Sequence, residues 1–237
     1  MSNCPLCKSN ETEYFYENKI REFTLCNNCK LIFVDKKFQL NEVEEKNEYD
    51  LHDNDVNDQN YINFLNRLAL PVINKLQNSD FFDSADKPYG LDFGCGFAPA
   101  LALTLERSGC DMAMYDKFYY PNAQLLREHC YDFITATEVV EHLNDPAIQL
   151  TNLWDCLKND GDAHFLAIMT KLVKKDAYDN KEIFANWHYI RDLTHICFYS
   201  EDTMQYIAKN LLKFNHSFYQ HIKVDFLNDD VIFFTAE

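Results

Sequence analysis

Pro88-Tyr89-Gly90-Leu91-Asp92-Phe93-Gly94-Cys95-Gly96-Phe97-Ala98-Pro99 reads as a buried strand, a glycine turn and the opening of a helix. Leu91 and Phe93 are the strand's apolar positions, and Gly94 and Gly96 make a turn through which main chain can approach a ligand. Pro99 suits the first turn of a helix. That helix runs through Leu101, Leu103, Leu105 and Glu106 to Gly109, a fitting left-handed cap. The turn stands out because the chain has only five glycines in 237 residues, against a usual share of about 7%. Each one left marks a place where a side chain is hard to accommodate.

A turn of this kind could serve a nicotinamide dinucleotide. That fingerprint, G-x-G-x-x-G or A, meets Pro99 in its third place here, with Ala98 one place early. An acid sits instead two residues before the first glycine. Asp92-x-Gly94-x-Gly96 resembles the first motif of class I S-adenosylmethionine-dependent methyltransferases. The neighbouring segments keep the resemblance. Asp111-Met112-Ala113-Met114-Tyr115-Asp116 is a second short strand ending in an acid 22 residues after Gly94. Tyr131 to Leu143, with Thr137-Glu138-Val139-Val140-Glu141-His142 at its mouth, resembles the family's fourth-strand motif. Asn144-Asp145-Pro146 then caps a helix with Leu150, Leu153, Trp154 and Leu157 on one face. Lys158 to Gly161 is a turn and Ala163 to Thr170 a fifth strand. Phe226 and Val231 to Phe234 flank Asn228-Asp229-Asp230 as a closing hairpin. The fold implied is α/β: a doubly wound, seven-stranded, mostly parallel sheet with an antiparallel last strand, over residues 61–237.

The resemblance also implies a site. Main chain at Gly94 and Gly96, with Cys95 between them, would approach the methionine part of S-adenosylmethionine. Asp92 would hold its ammonium, Asp116 its ribose, and Thr137 and Glu138 would border the methyl group. No adenine pocket is identifiable, because the stretch from Asp116 to Tyr131 is short and carries no third acid. If the acceptor needs a base, His142, His188 and His195 are the candidates, since imidazole titrates nearest working pH. The last two lie in Trp187 to Ser200, a connection rich in Trp, His, Arg and Asp, expected to cover the carboxyl ends of the strands. It reads either as a substrate lining or as a buried polar network. A divalent metal on Glu138, Glu141 and His142 with His195 or His188, as in small-RNA 2′-O-methyltransferases, is the less favoured reading. The same run is common in family members where Glu141 and His142 only pack and hydrogen-bond.

Cys4-Pro-Leu-Cys7 and Cys26-Asn-Asn-Cys29 are two C-x-x-C pairs eighteen residues apart, the spacing of two knuckles on one tetrahedral metal. The aromatic stretch between them (Tyr14, Phe15, Tyr16, Phe23) reads as a hairpin that brings the pairs together, and Leu31 to Val34 as a closing strand. Residues 1–40 are thus expected to be a structural zinc ribbon. Lys8 and Lys30 stand where such knuckles often have glycine.

Residues 41–60 carry eight acids against Lys46 and read as an acidic linker with at most short helical pieces. Within them, the run from Tyr49 to Asp55 is either a solvated loop or a segment over a ligand pocket. From Tyr61 the apolar positions return to helical spacing, with Pro71 an expected kink or break. The net charge of −16 argues against gripping nucleic acid. No apolar run is long enough to cross a membrane, no secretory signal is evident, and nine cysteines, an odd number, fit a reducing cytoplasm. The remaining cysteines (Cys95, Cys110, Cys130, Cys156, Cys197) read as small apolar groups, and His129, His164, His216 and His221 have no constellation around them. The expected function is methyl transfer from S-adenosylmethionine to a small molecule. An RNA-modifying enzyme and a non-catalytic S-adenosylmethionine-binding protein are the rivals.

Overall fold

The computed structural model describes residues 2–79, 87–160, 164–212 and 221–237. Gly161, Ala163 and His216 therefore lie outside the described residues. In chain order the strands are β1 (Thr12–Glu17), β2 (Glu22–Cys26), β3 (Ile32–Val34), β4 (Tyr89–Phe93), β5 (Asp111–Tyr115), β6 (Phe133–Thr137), β7 (Phe165–Met169), β8 (Cys197–Phe198), β9 (Ile222–Phe226) and β10 (Val231–Ala236). The helices are α1 (Glu42–Tyr49), α2 (Gln59–Gln77), α3 (Ala100–Arg107), α4 (Pro146–Asp155), α5 (Asp176–Asp179), α6 (Lys181–Ala185) and α7 (Glu201–Tyr206). The chain divides into two compact units, each assembled from separate stretches: 1–52 with 140–151 and 170–213, and 53–139 with 152–169 and 214–237.

The second unit holds a mixed α/β sheet in the order β5-β4-β6-β7-β10-β9. β5, β4, β6 and β7 are parallel, and β10 runs antiparallel to both β7 and β9. β7 (FLAIM) is buried at every position, as a strand covered on both faces must be. Leu65, Leu68, Val72 and Leu76 of α2 join Leu101 and Leu105 of α3 in one core with Phe133, Phe165 and Phe233 of the sheet. Fully burying each such side chain contributes about 1.5–3 kcal/mol. That burial explains why α2 runs unbroken through Pro71, where a kink or break was expected: the lost N–H costs one ladder bond, and the apolar face on either side of it remains anchored.

Six strands, not the expected seven, form this sheet among the described residues. The reason is chain length between β5 and β6. A parallel crossover needs a dozen or more residues with its helix, and inserting a further strand there needs two such crossovers. Residues 116–132 instead form a tight turn, with a bridge between Asp116 and Tyr120, and a single 3₁₀ turn at Ala123–Leu125. β5 therefore stands at the edge of the sheet, and β4 pairs with both β5 and β6.

The first unit contains a four-stranded antiparallel sheet, β1-β2-β3-β8. Its fourth strand comes from residues 197–198, so the expected ribbon at 1–40 is completed by a distant part of the chain. Phe184 of α6 packs edge-on against Phe15 (5.1 Å), Phe23 (5.2 Å) and Phe198 (5.7 Å). The compact unit thus continues past the expected boundary at residue 40. The acidic stretch 41–60 opens as α1, started by a capping box between Asn41 and Glu44. Glu45 of this helix is buried, and the Tyr49 ring stands edge-on to His142 at 5.4 Å. No helix of the described residues is long and apolar enough to cross a membrane.

Candidate functional site

The glycine turn after β4 is closed onto the end of β5. The N–H groups of Gly94 and Cys95 both donate to the Tyr115 carbonyl, at 2.7 and 3.1 Å. Gly94 (φ +76°) and Gly96 (φ +63°) are both left-handed, but the two glycines serve different ends. A Cβ on Gly94 would stand 2.3 Å from Val139 Cγ2, whereas one on Gly96 would meet nothing within 4 Å. Gly94 is a packing necessity; Gly96 borders open space.

Asp116 faces that space. Its Oδ1 accepts from the N–H groups of Phe118 (2.8 Å) and Tyr119 (3.0 Å), and its Oδ2 from Gly96 N–H (3.2 Å). The turn after β5 thus orients the carboxylate before any ligand arrives. Beside it, Phe97 is partly exposed and lies 5.6 Å from Tyr119, ring to ring.

Asp92 is buried in β4 and accepts from the Thr135 hydroxyl at 2.9 Å. Burial pushes its carboxyl up to about 7, against the opposing effect of Thr135. Tyr61 of α2 is near enough for Asp92 and Cys95 to reinforce burial in holding its phenol up at about 12. Sequence reading missed Tyr61; as the first aromatic of an amphipathic helix, it carried no signal apart from core packing. Burial, then Asp92 and Asp116, push the Cys95 thiol up, so it is no ready nucleophile.

At the mouth of β6, Glu138 holds φ +50° and donates its N–H to the Met169 carbonyl at 2.7 Å. A left-handed glutamate costs energy and persists where the surroundings impose it, which is common at functional sites. The Thr137 hydroxyl oxygen next to it is buried with no hydrogen-bond partner among the described residues. Elsewhere in this unit, His164 proves to have a constellation after all: it is buried, with Nε2 2.6 Å from Asp160 and Nδ1 3.1 Å from the Asp132 carbonyl. Lys158 pairs with Asp132 at 2.7 Å in the same network, a structural role.

The other unit gathers a second set of polar groups. Glu141, in the 3₁₀ turn Val140–His142 rather than on a strand, is fully buried and accepts from the Tyr189 and Thr170 hydroxyls. Burial pushes its carboxyl up to about 7. His142 and His195 lie 4.8 Å apart, ring to ring. Their Nδ1 atoms lie 3.0 Å from the Thr194 carbonyl and 2.9 Å from the Tyr189 carbonyl. Burial, then His142, lowers His195 to about 4, so its imidazole is neutral at pH 7. One donor atom from each of Glu141, His142 and His195 falls within a common 4.8 Å. His188 is exposed, 3.2 Å from Lys171 Nζ. Glu45 and Thr170 belong to this cluster and escaped the sequence reading, since only the fold brings them to the histidines; Tyr49 comes from the run read as a solvated loop or a segment over a ligand pocket, and Tyr189 from the connection read as a substrate lining or a buried polar network.

The four N-terminal cysteines converge: Cys4 and Cys29 sulfurs are 3.5 Å apart, Cys7 and Cys26 3.4 Å, and all four lie within 4.8 Å of one another. None is in a disulfide. The two knuckles share one geometry. Lys8 N–H donates to Cys4 O (3.0 Å) and Lys30 N–H to Cys26 O (2.9 Å), with φ +60° and +61° at the two lysines. The left-handed places that glycine often fills are thus present and occupied by lysine.

A family model described as a methyltransferase domain matches residues 60–211, well over half of the chain. No curated protein matches the sequence. Among solved structures, a protein from Methanococcus maripaludis classed as an S-adenosyl-L-methionine-dependent methyltransferase is 15% identical, with 85% of this chain and 94% of that one covered and a TM-score of 0.47. Magnesium protoporphyrin IX methyltransferase from Synechocystis PCC 6803, with bound S-adenosylhomocysteine, is 13% identical over 82% and 93%, at 0.43. A SAM-dependent methyltransferase from Thermotoga maritima is 12% identical over 73% and 92%, at 0.39. Likeness at this level carries no argument, and the assignment rests on the family match. Because that match starts with α2 and takes in the glycine turn, Asp116 and the mouth of β6 together, the chain belongs to the methyltransferase domain family.

Proposed function

We propose that the chain transfers the methyl group of S-adenosylmethionine to a small-molecule acceptor. The observation that carries this reading is the open space at Gly96, bordered by a carboxylate already oriented at Asp116. The residues fit the donor: the turn Gly94-Cys95-Gly96 would run along the methionine part, with Gly96 bordering open space, Asp92 offers a buried carboxylate to an ammonium, and Asp116 can accept from ribose hydroxyls. Thr137 and Glu138 border the reacting end. When bound, the sulfonium supplies an electrophilic methyl group. The protein's task is to hold donor and acceptor in line and exclude water, which needs no nucleophile of its own.

On the acceptor side, His142 and His195 are the residues able to take a proton from a hydroxyl or amine, oriented by their Nδ1 contacts and by Tyr189 and Glu141. His188, exposed, is the least constrained of the three. Both Glu141 oxygens already accept hydroxyl hydrogens, so we assign it as the hub that orients this cluster and give no divalent metal a step. The four thiols fit a structural zinc, closed by four sulfur ligands and with no place for substrate. The net charge of −16 favours a small acceptor over RNA. Nine cysteines without a disulfide favour a reducing compartment such as the cytoplasm.

Calorimetry with S-adenosylhomocysteine tests the donor site. Binding at micromolar to submillimolar concentration is expected, and its absence overturns the reading. A metabolite screen for methyl incorporation then names the acceptor; failure of every small molecule alongside labelling of RNA would overturn the small-molecule part.

A further inference from the structure

Arg21 sits in the turn between β1 and β2 and is buried, 1% exposed. Its Nη1 donates to the carbonyls of Leu193 (3.1 Å) and His195 (2.9 Å), and its Nη2 to those of Ile190 (2.9 Å) and Asp192 (2.5 Å). All four partners are main-chain carbonyls of one six-residue stretch. The Phe23 ring lies beneath the guanidinium, 5.2 Å from ring centre to Cζ. Burial pulls the guanidinium down to about 10, still charged at pH 7.

Four carbonyl dipoles converging on one point repel one another unless a cation sits there. A guanidinium fork is the side chain that can take four at once; an ammonium, with three donors on one nitrogen, cannot. The stretch so held ends at His195, whose ring lies 4.0 Å from that of Tyr189 and 4.8 Å from that of His142. The next residue is clamped on both sides: Ile196 N–H donates to the Glu141 carbonyl (2.8 Å), and its own carbonyl accepts from Val34 N–H in β3 (2.9 Å).

We infer that Arg21 is a positioning residue for the acceptor-side cluster: the cysteine-bearing hairpin acts through it to set the main chain of residues 190–195, and with it His195, His142 and Tyr189. This rests on the proposed methyl transfer for its purpose, but its physical content is separate. The hairpin is then a part of the acceptor machinery and not a detachable ornament.

The test uses the full chain, labelled with ¹⁵N-histidine, as wild type, Arg21→Ala and Arg21→Lys. S-Adenosylhomocysteine affinity and bound zinc are measured alongside. Both variants should shift the imidazole resonances of His142 and His195 while leaving those of His129 and His221 in place. S-Adenosylhomocysteine affinity should stay within about twofold, under 0.5 kcal/mol. Millimolar guanidinium, but not sodium at equal ionic strength, should return Arg21→Ala to the wild-type spectrum by refilling the vacated place. Unmoved His142 and His195 resonances in either variant, or shifts in Arg21→Ala that guanidinium fails to reverse, overturn the inference. If Arg21→Ala does not fold, Arg21→Lys decides: a wild-type spectrum overturns the inference, and selective shifts support it. Wild-type protein that binds no S-adenosylhomocysteine would sink the donor-site reading and leave the histidine spectra to judge Arg21 alone.

Discussion

Gly96 N–H donates to Asp116 Oδ2 at 3.2 Å, tying the turn after one strand to the acid after its neighbour. The two glycines of that turn should therefore fail differently when replaced. Gly94→Ala places a methyl 2.3 Å from Val139 on top of the left-handed penalty of about 1–2 kcal/mol. Gly96→Ala carries the left-handed penalty alone and puts its methyl into open space. Thermal melts should show Gly94→Ala as clearly the less stable. Gly96→Ala should stay folded yet bind S-adenosylhomocysteine at least about tenfold more weakly, a loss of about 1.4 kcal/mol. Equal affinity in Gly96→Ala and wild type would remove the turn from the donor site.

What could be read from the sequence is what short stretches determine. The β4 turn, β5 with Asp116, the closing hairpin and the cysteine knuckles each rest on residues within a dozen places of one another. That six strands and not seven form the sheet among the described residues is legible in principle, since the span from Asp116 to Tyr131 is too short for a further strand with two crossovers. Arg21 and β8 were not legible: their partners lie about 170 residues away, and nothing in Asn18-Lys19-Ile20-Arg21-Glu22 separates a buried guanidinium from a solvated one. Lys8 and Lys30 show the opposite case, where the fold imposes the glycine geometry on residues that do not prefer it.

Asp92 should make stability depend on pH in a definite direction. Its carboxyl is raised to about 7 in the folded chain from 3.8, so the folded state binds the proton more tightly. The contribution is fully present below about pH 4 and is lost as pH rises through 7, at up to about 1.4 kcal/mol per unit. Glu141, also raised to about 7, acts in the same direction, so the comparison is between wild type and Asp92→Asn. Denaturant midpoints from pH 4 to 8 should fall more steeply in the wild type. A ligand ammonium favours the ionised carboxylate, so S-adenosylhomocysteine binding at pH 6 should release a proton, seen in buffers of different ionisation enthalpy. Asp92→Asn should release none.

Tyr189→Phe removes the hydroxyl that donates to buried Glu141 and keeps the ring. Losing one donor to a buried carboxyl costs about 1–3 kcal/mol, and each kcal/mol lowers the melting temperature of a chain this size by about 2–4 °C. The loss should be smaller when Glu141→Gln is already present, because a neutral amide needs the donor less. Two substitutions that simply add would count against the hydrogen bond as the hub of the cluster.

The four-thiolate site makes a prediction about stoichiometry and about which cysteines matter. Carefully purified protein should contain about one zinc per chain, the number set by four sulfur ligands. Cys4→Ser or Cys29→Ser should lower zinc content and the melting temperature together, because metal binding is coupled to folding. Cys110→Ser should leave zinc unchanged, its thiol being buried in the other unit, in the core with α2 and α3. Cobalt in place of zinc should give the intense thiolate-to-metal absorption of a tetrahedral sulfur site. Chelator strong enough to strip the zinc should disturb the fold of the first unit, and with it the His142 and His195 resonances. Methyl transfer itself should survive chelation too mild to remove that zinc, since no divalent ion is given a step in the reaction. A rate that falls under mild chelation with zinc still bound would instead place a second metal at Glu141, His142 and His195.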